Sequence, residues 1–156
     1  MRYQQIPYSC GAAATVNALR CFGMRIPERV IRSRANTTQQ GTSELGIVAA
    51  LESFGLTGIS FNVKKEKQYP NLRLRAMNQL STNVSAGHPV IICTQNFQHW
   101  VTIIGKIGDR FVLIDPANTN ENKKENSVHV LSQATLSNMW KSKNGIYSGI
   151  VVKKLL

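Results

Sequence analysis

The chain has 156 residues, of which 42% are hydrophobic and 17% are charged, a composition typical of a folded globular domain and not of a disordered chain. Its 19 lysines and arginines against 8 aspartates and glutamates give a formal net charge of +11. No apolar run reaches the roughly 18 residues of a membrane span, and no secretory signal is recognisable, so we expect a single domain over residues 1–156 without a membrane segment.

The first part of the chain has the pattern of helices. A run of small and apolar residues predicts a buried helix, a proline fits the first turn of a short second helix, and a hydroxyl residue followed by glutamate indicates the start of a third. The predicted helices are residues 10–22, closed by Gly23; residues 27–35; and a helix capped by Thr42 or Ser43 and ended by Gly55.

The second part of the chain has mainly the pattern of strands. Alternating or continuous apolar residues predict strands at 59–63, 90–93, 100–105, 110–115 and 149–154. Residues 72–85 are ambiguous and favour a short helix, residues 116–127 are interpreted as a polar loop, and residues 132–140 as a helix. Helices followed by antiparallel strands predict an α+β fold, with an N-terminal helical part packed on an antiparallel sheet.

The three cysteines are Cys10, Cys21 and Cys93, an odd number without the spacing of a disulfide framework or a zinc site. On one helix Cys10 and Cys21 would lie about 16 Å apart, whereas a disulfide needs Cα atoms within about 7 Å. We therefore expect Cys10 to be a free thiol in the reducing cytoplasm, and we expect no metal and no cofactor. Cys21 and Cys93 are interpreted as buried small hydrophobic residues.

Cys10 is the candidate nucleophile because it opens the first predicted helix. The free N–H groups and the positive end of the helix dipole would stabilise its thiolate. Gly11, Ala12 and Ala13 would leave the first turn open to a substrate carbonyl. Without the histidine and the aspartate, Cys10 would be interpreted as a small buried residue at a helix start.

His99 and Asp115 are the candidate partners of this cysteine. His99 directly precedes one predicted strand and Asp115 ends the next, so a hairpin would bring the carboxylate to the ring, where it could accept the Nδ1–H. The alternatives are a surface histidine and a turn cap before Pro116. His129, which follows the polar loop, is expected to face solvent.

Two glutamines precede the cysteine. Gln4, six residues before Cys10, would donate its side-chain amide to a developing oxyanion together with the backbone N–H of Cys10, and Gln5 is the rival for this role. Cysteine, histidine and aspartate in this order, with an upstream glutamine, are the components of a papain-like nucleophilic site.

These motifs resemble the bacteriocin-processing cysteine peptidases, the papain-like domains that cut after a double-glycine leader. The matching segments are Gln4, Cys10-Gly11-Ala12-Ala13, Gly41-Thr42-Ser43, Phe54-Gly55-Leu56, residues 87–91, His99-Trp100-Val101 and Asp115-Pro116. They cover nearly the whole chain in the family's order. Two departures are the lack of the transmembrane and ATPase segments of exporter-attached members, and Ala117 where the family often has a glycine.

The resemblance implies a papain-like fold in a stand-alone peptidase domain. It also implies Cys10 as nucleophile, His99 as base, Asp115 as orienting residue and Gln4 as oxyanion donor, with cleavage after small residues such as Gly-Gly. The expected partner is then a peptide or protein substrate.

Two other hypotheses stay open. The same thioester could pass to an amine or thiol, or form during deamidation, and only the substrate pocket separates these reactions from hydrolysis. Alternatively, the basic surface could bind nucleic acid or an acidic protein, with a vestigial triad, although a solvated basic face explains the charge equally well and no platform of stacked aromatic residues accompanies it.

Overall fold

The computed structural model describes residues 3–68 and 70–155, and it contains the predicted elements in their predicted order together with one further helix and one further strand. The helices are α1 (Cys10–Arg20), α2 (Glu28–Arg34), α3 (Glu44–Glu52), α4 (Leu72–Ser85), α5 (Asn120–Lys124) and α6 (Gln133–Trp140). The strands are β1 (Leu56–Val63), β2 (Val90–Thr94), β3 (His99–Ile107), β4 (Arg110–Ile114), β5 (Val128–Leu131) and β6 (Tyr147–Lys154).

The six strands form one antiparallel sheet in the order β1-β6-β2-β3-β4-β5. Helices cover both faces of this sheet, and each face has its own apolar core. Successive residues of β2 show the division, because Val90 and Ile92 pack in one core and Ile91 packs in the other. The predicted α+β fold is therefore confirmed, with the N-terminal helices packed on the face that contains Ile91.

The small residues of α1 bring this helix close to the sheet. Ala12, Ala14 and Ala18 are fully buried, and Thr102 of β3 donates a hydrogen bond from Oγ1 to the carbonyl oxygen of Ala14 at 2.8 Å. Gly23 closes the turn that follows the helix, as predicted: its φ is 77°, and its backbone N–H donates to the carbonyl oxygen of Arg20 at 3.0 Å. This close packing fixes the first turn of α1 against β3, the strand that begins with His99.

The structure differs from the sequence prediction in the segment after β4. Residues 116–127 contain a short helix, α5, whose N-cap residue Thr119 accepts a hydrogen bond from the backbone N–H of Asn122. The chain then forms β5, which was not predicted and which pairs with β4 at the edge of the sheet. A strand of four residues that is only partly buried has too few alternating apolar positions to be recognised.

The predicted burial of Cys21 was wrong, because α1 ends at Arg20 and Cys21 is exposed. Cys93 is buried within β2, as predicted. None of the helices in residues 3–68 and 70–155 combines the length and apolar character that crossing a bilayer would require.

Candidate active site

Cys10 is the first residue of α1, and a buried glutamate fixes the segment that leads to it. Ser9, the N-cap residue, does not cap the helix with its side chain. Glu28, which is 5% exposed, accepts hydrogen bonds from the backbone N–H of Gln5 at 2.9 Å and from Ser9 Oγ at 3.2 Å. Glu28 also forms an ion pair with Arg32. The start of α1 is thereby tied to α2.

Gly11 is needed for a reason other than the predicted open access to Cys10. A Cβ atom at position 11 would lie 2.7 Å from Cβ of Thr42 and 3.0 Å from Cδ1 of Trp100. These two residues are joined, because the indole Nε1 of Trp100 donates to the carbonyl oxygen of Thr42 at 3.1 Å. The glycine therefore lets the segment before α3 and the start of β3 approach the first turn of α1, beside Cys10.

His99 lies between Cys10 and Asp115. Its Nε2 is 2.7 Å from Oδ1 of Asp115, so the predicted contact through Nδ1 was wrong. Nδ1 is instead the ring nitrogen left for the hydrogen bond with the Cys10 thiol. The hairpin of β3 and β4 brings the two residues together as predicted, because Thr102 pairs with Ile114 and places both strand ends at the same edge.

The electrostatics favour a charged pair of Cys10 and His99. Burial alone would raise the pKa of Cys10, but hydrogen bonds from His99 and from the backbone N–H groups of Trp100 and Gly11, together with the His99 charge, lower it below its usual value. Burial alone would lower the pKa of His99, but hydrogen bonds with Asp115 and Cys10 and their negative charges raise it to about 9. Both shifts stabilise thiolate and imidazolium together.

Asp115 is held as an acceptor by its surroundings. Burial would raise the pKa of its carboxyl group, but the hydrogen bond with His99, the backbone N–H of Ala117 at 2.9 Å, and the charges of His99 and His129 lower it. The backbone N–H of Asp115 donates to the carbonyl oxygen of Ser127 at 2.9 Å. The carboxylate therefore stays ionised next to the ring.

Asn122 of α5 supports the loop that carries Asp115, and sequence reasoning missed it. Its Nδ2 donates to the carbonyl oxygens of Asp115 and Ala117, each at 2.7 Å, and its Oδ1 accepts from Nε2 of His129 at 2.6 Å. His129 is therefore half-buried and bonded, not solvent-facing as predicted. An asparagine in an Asn-rich polar segment offers no pattern that distinguishes it from its exposed neighbours.

The structure separates the two candidate glutamines. Gln4 lies near the site, where it lines a cleft with His99 and Thr119 of about 650 Å³. The side chain of Gln5 instead accepts a hydrogen bond from Arg32 at 3.1 Å and is exposed. The amide of Gln4 itself donates to the carbonyl oxygens of Ile6 at 3.0 Å and Pro7 at 2.9 Å, within its own segment.

A second cleft, of about 410 Å³, contains Thr42, Glu44, Cys93 and Trp100 among its lining residues. Burial, together with the negative charges of Cys10 and Glu44, raises the pKa of the Cys93 thiol to about 12, so Cys93 is a poor nucleophile. Within the described part of the chain, no three histidine, cysteine, aspartate or glutamate residues are grouped to hold a metal ion. The arrangement can present one activated thiol, that of Cys10, next to His99, which lines the first cleft.

Comparison with known proteins finds similarity over most of the chain. The family model "Peptidase C39 family" matches residues 1–142. The curated protein "Lactococcin-G-processing and transport ATP-binding protein LagD" of Lactococcus lactis subsp. lactis is 28% identical over 116 residues, which are 74% of this chain and 15% of that protein. The chain thus spans a small part of the length of this relative.

Two solved structures share the fold. The peptidase domain of Streptococcus ComA, a bifunctional ABC transporter involved in quorum sensing, is 19% identical, with a TM-score of 0.72 over 98% of this chain and 96% of the other. A double glycine motif protease from an AMS/PCAT transporter, in complex with the leader peptide, is 19% identical, with a TM-score of 0.71 over 98% and 89%. The papain-like fold implied by the sequence motifs is therefore confirmed.

Proposed function

Because the chain belongs to the peptidase C39 family and is a cysteine peptidase, we propose that Cys10, His99 and Asp115 are its catalytic triad. The observation that carries the proposal is the position of the His99 ring, whose Nε2 lies 2.7 Å from Oδ1 of Asp115, which leaves Nδ1 for the hydrogen bond between His99 and Cys10. A histidine oriented by a carboxylate and bonded to a thiol is the general form of an activated cysteine nucleophile.

In the proposed reaction the Cys10 thiolate attacks the carbonyl carbon of a peptide bond. The His99 imidazolium gives its proton to the leaving amine, and the C–N bond breaks to leave a thioester on Sγ. Neutral His99 then accepts a proton from water, which attacks the thioester and releases the new carboxyl end. Asp115 stays ionised throughout and holds the ring orientation through Nε2.

The negative charge that develops on the carbonyl oxygen needs donors. Residues at a helix start have backbone N–H groups without helical partners, so the N–H of Cys10 is one donor. We propose Gln4 as the second. An amide nitrogen carries two hydrogens, and those of Gln4 are directed at Ile6 and Pro7, so one of these bonds must be exchanged for the oxyanion.

We propose that the substrate is a peptide with small residues such as Gly-Gly before the cleaved bond. One solved relative is a double glycine motif protease in complex with the leader peptide, and a curated relative is named for lactococcin-G processing. The hydrogen bond from Trp100 to Thr42 supports a preference for small substrate residues, because these two residues pack against Gly11, directly beside the nucleophile.

We further propose that residues 1–156 act as one domain, since all six strands belong to one sheet. The three free cysteines support a reducing, cytoplasmic location, because a thiolate nucleophile must stay reduced. The relatives are peptidases and lend no support to a nucleic-acid partner.

The test is cleavage of synthetic peptides that contain Gly-Gly followed by a short sequence, followed by mass spectrometry. We expect cleavage after the second glycine, lost in Cys10→Ala and kept in Cys21→Ala, the matched control at an exposed cysteine. Cleavage by Cys10→Ala would contradict the mechanism. Ammonia release from a glutamine side chain of the peptide, or transfer of the acyl group to an added amine, without chain cleavage would favour the acyl-transfer or deamidation alternative.

A further inference from the structure

The cleft next to Cys93 and Trp100 contains a carboxylate oxygen without a partner. Glu44 lies in the first turn of α3, and its Oε1 is buried without a hydrogen bond to any described residue. The same side chain lines the cleft of about 410 Å³. A buried acceptor without a donor costs free energy, and a cation that approaches the same carboxylate from the cleft would offset that cost through its charge.

The other walls of this cleft suit a long aliphatic chain. Phe97, Trp100 and Ile146 line it with apolar surface, and Phe97 is 46% exposed. Lysine and arginine side chains pack their stems on apolar or aromatic surface while the charged end binds elsewhere. An apolar wall that leads to a single carboxylate therefore matches the shape and charge of a basic side chain.

The charged residue that lines the cleft with Glu44 leaves the Glu44 carboxylate available to bind a substrate cation. Lys64, which follows β1, is the cation among the residues that line the cleft. It is exposed, and the salt bridges found among the described residues do not include one between Lys64 and Glu44. An exposed lysine is screened by salt, so it weakens the attraction of a basic side chain only in part.

We propose that Glu44 is a specificity-determining residue, and that its cleft binds a lysine or arginine side chain of the peptide substrate near the cleaved bond. The inference rests on the proposed peptidase function, since it assumes that the peptide lies across Cys10. A net charge of +11 alone would favour acidic peptide side chains at every position, whereas the inference predicts a basic side chain at one position.

The probe is a set of peptides with a fixed Gly-Gly, in which each neighbouring position on either side is replaced in turn by Lys, Arg, Gln, Leu or Glu. At one position the wild-type chain should cleave the Lys or Arg peptide with a kcat/KM about tenfold above that of the Gln peptide. Glu44→Gln should remove this preference, so that its kcat/KM values for the Lys, Arg and Gln peptides become equal. Glu52→Gln, at the exposed end of the same helix, should keep the preference.

The charge reversal Glu44→Lys should shift the preference at that position to the Glu peptide. Equal cleavage of Lys, Arg and Gln peptides by the wild-type chain would overturn the inference and leave the peptidase function standing, whatever the folding of the variants. A preference that survives in folded Glu44→Gln would overturn it as well. Failure to cleave any peptide of the set would overturn the proposed function and this inference together.

Discussion

Nε2 of His99 lies 2.7 Å from Oδ1 of Asp115, and the same carboxylate oxygen accepts the backbone N–H of Ala117 at 2.9 Å. The carboxylate that bonds to the His99 ring is therefore itself held by the turn that follows it. This leaves Nδ1 of His99 for the hydrogen bond with Cys10. The ring therefore connects the start of α1 with the end of β4. The pKa of His99, raised to about 9, depends on this connection.

Asp115→Asn should move the alkaline limb of the activity profile. The substitution removes a negative charge next to the ring and with it a cause of the raised pKa, so the pKa of His99 should fall from about 9 toward about 6.5. As the pH rises, kcat/KM of the variant should therefore begin to fall at a lower pH than in the wild type, because the imidazolium that protonates the leaving amine loses its proton at a lower pH. The matched control is Asp109→Asn in the exposed turn of the same hairpin, whose profile should not move. An unchanged alkaline limb in Asp115→Asn would count against the proposed role of this carboxylate.

Gly11→Ala should destabilise the fold and the site together. The new methyl group would meet Cβ of Thr42 at 2.7 Å and Cδ1 of Trp100 at 3.0 Å, so the Thr42 segment or the indole must move. Overpacking of this kind costs about 1–3 kcal/mol in the free energy of unfolding. Denaturant unfolding followed by circular dichroism measures the loss. Gly105→Ala is the control, because a Cβ atom there meets nothing within 4 Å. Equal stability of Gly11→Ala and the wild type would show that the close approach of Thr42 and Trp100 to position 11 is not required.

Gln4→Ala should lower kcat about a hundredfold if its amide binds the oxyanion. The side chain also donates to Ile6 and Pro7, so the variant is expected to lose some stability as well. Steady-state kinetics at a temperature where both proteins are folded separates these effects. Gln5→Ala tests the rival glutamine, which is bonded to Arg32, and should leave kcat near the wild-type value. A larger effect for Gln5→Ala than for Gln4→Ala would reverse the assignment.

Asn122→Asp should weaken the support of the Asp115 loop. The substitution keeps the shape but replaces the two N–H donors with acceptors that face the carbonyl oxygens of Asp115 and Ala117. Leaving buried acceptors without a donor costs about 1–3 kcal/mol each, so the unfolding midpoint and kcat should both fall. Asn78→Asp on the exposed side of α4 is the comparison, and it should be close to neutral. A fully stable and active Asn122→Asp would show that the loop holds its geometry without this side chain.

The sequence was sufficient to predict the parts of the site that follow from local pattern. Cys10 begins a helix of small residues, and His99 and Asp115 lie at the ends of two strands that a short turn joins into a hairpin. The α+β architecture followed from the same periodicities. These features depend on neighbours in the chain, where the spacing of residue types is informative.

The rest depends on contacts between distant segments. Glu28 lies 23 residues after Gln5, whose backbone N–H it binds, and no local pattern predicts that pairing. The register of β3 and β4 shifts between Ile103 and Gly105, and the backbone N–H of Ala117 holds the Asp115 carboxylate; sequence spacing predicts neither feature. The small and apolar residues predict a helix over residues 10–22 with Cys21 buried, but the helix ends at Arg20, two residues earlier, and Cys21 is exposed.

The central claim, that Cys10 and His99 form an activated thiolate–imidazolium pair, is tested most directly by alkylation with iodoacetamide across pH 4 to 9, mapped by mass spectrometry. The other two cysteines serve as internal references for an unactivated thiol. The Cys21 sulfur donates to the carbonyl oxygen of Asn17, and burial of this atom raises its pKa, while the pKa of Cys93 is raised to about 12. The account predicts that Cys10 is alkylated selectively well below pH 8, and that His99→Ala abolishes this selectivity. A Cys10 profile that coincides with that of Cys21, or one that is unchanged in His99→Ala, would contradict it.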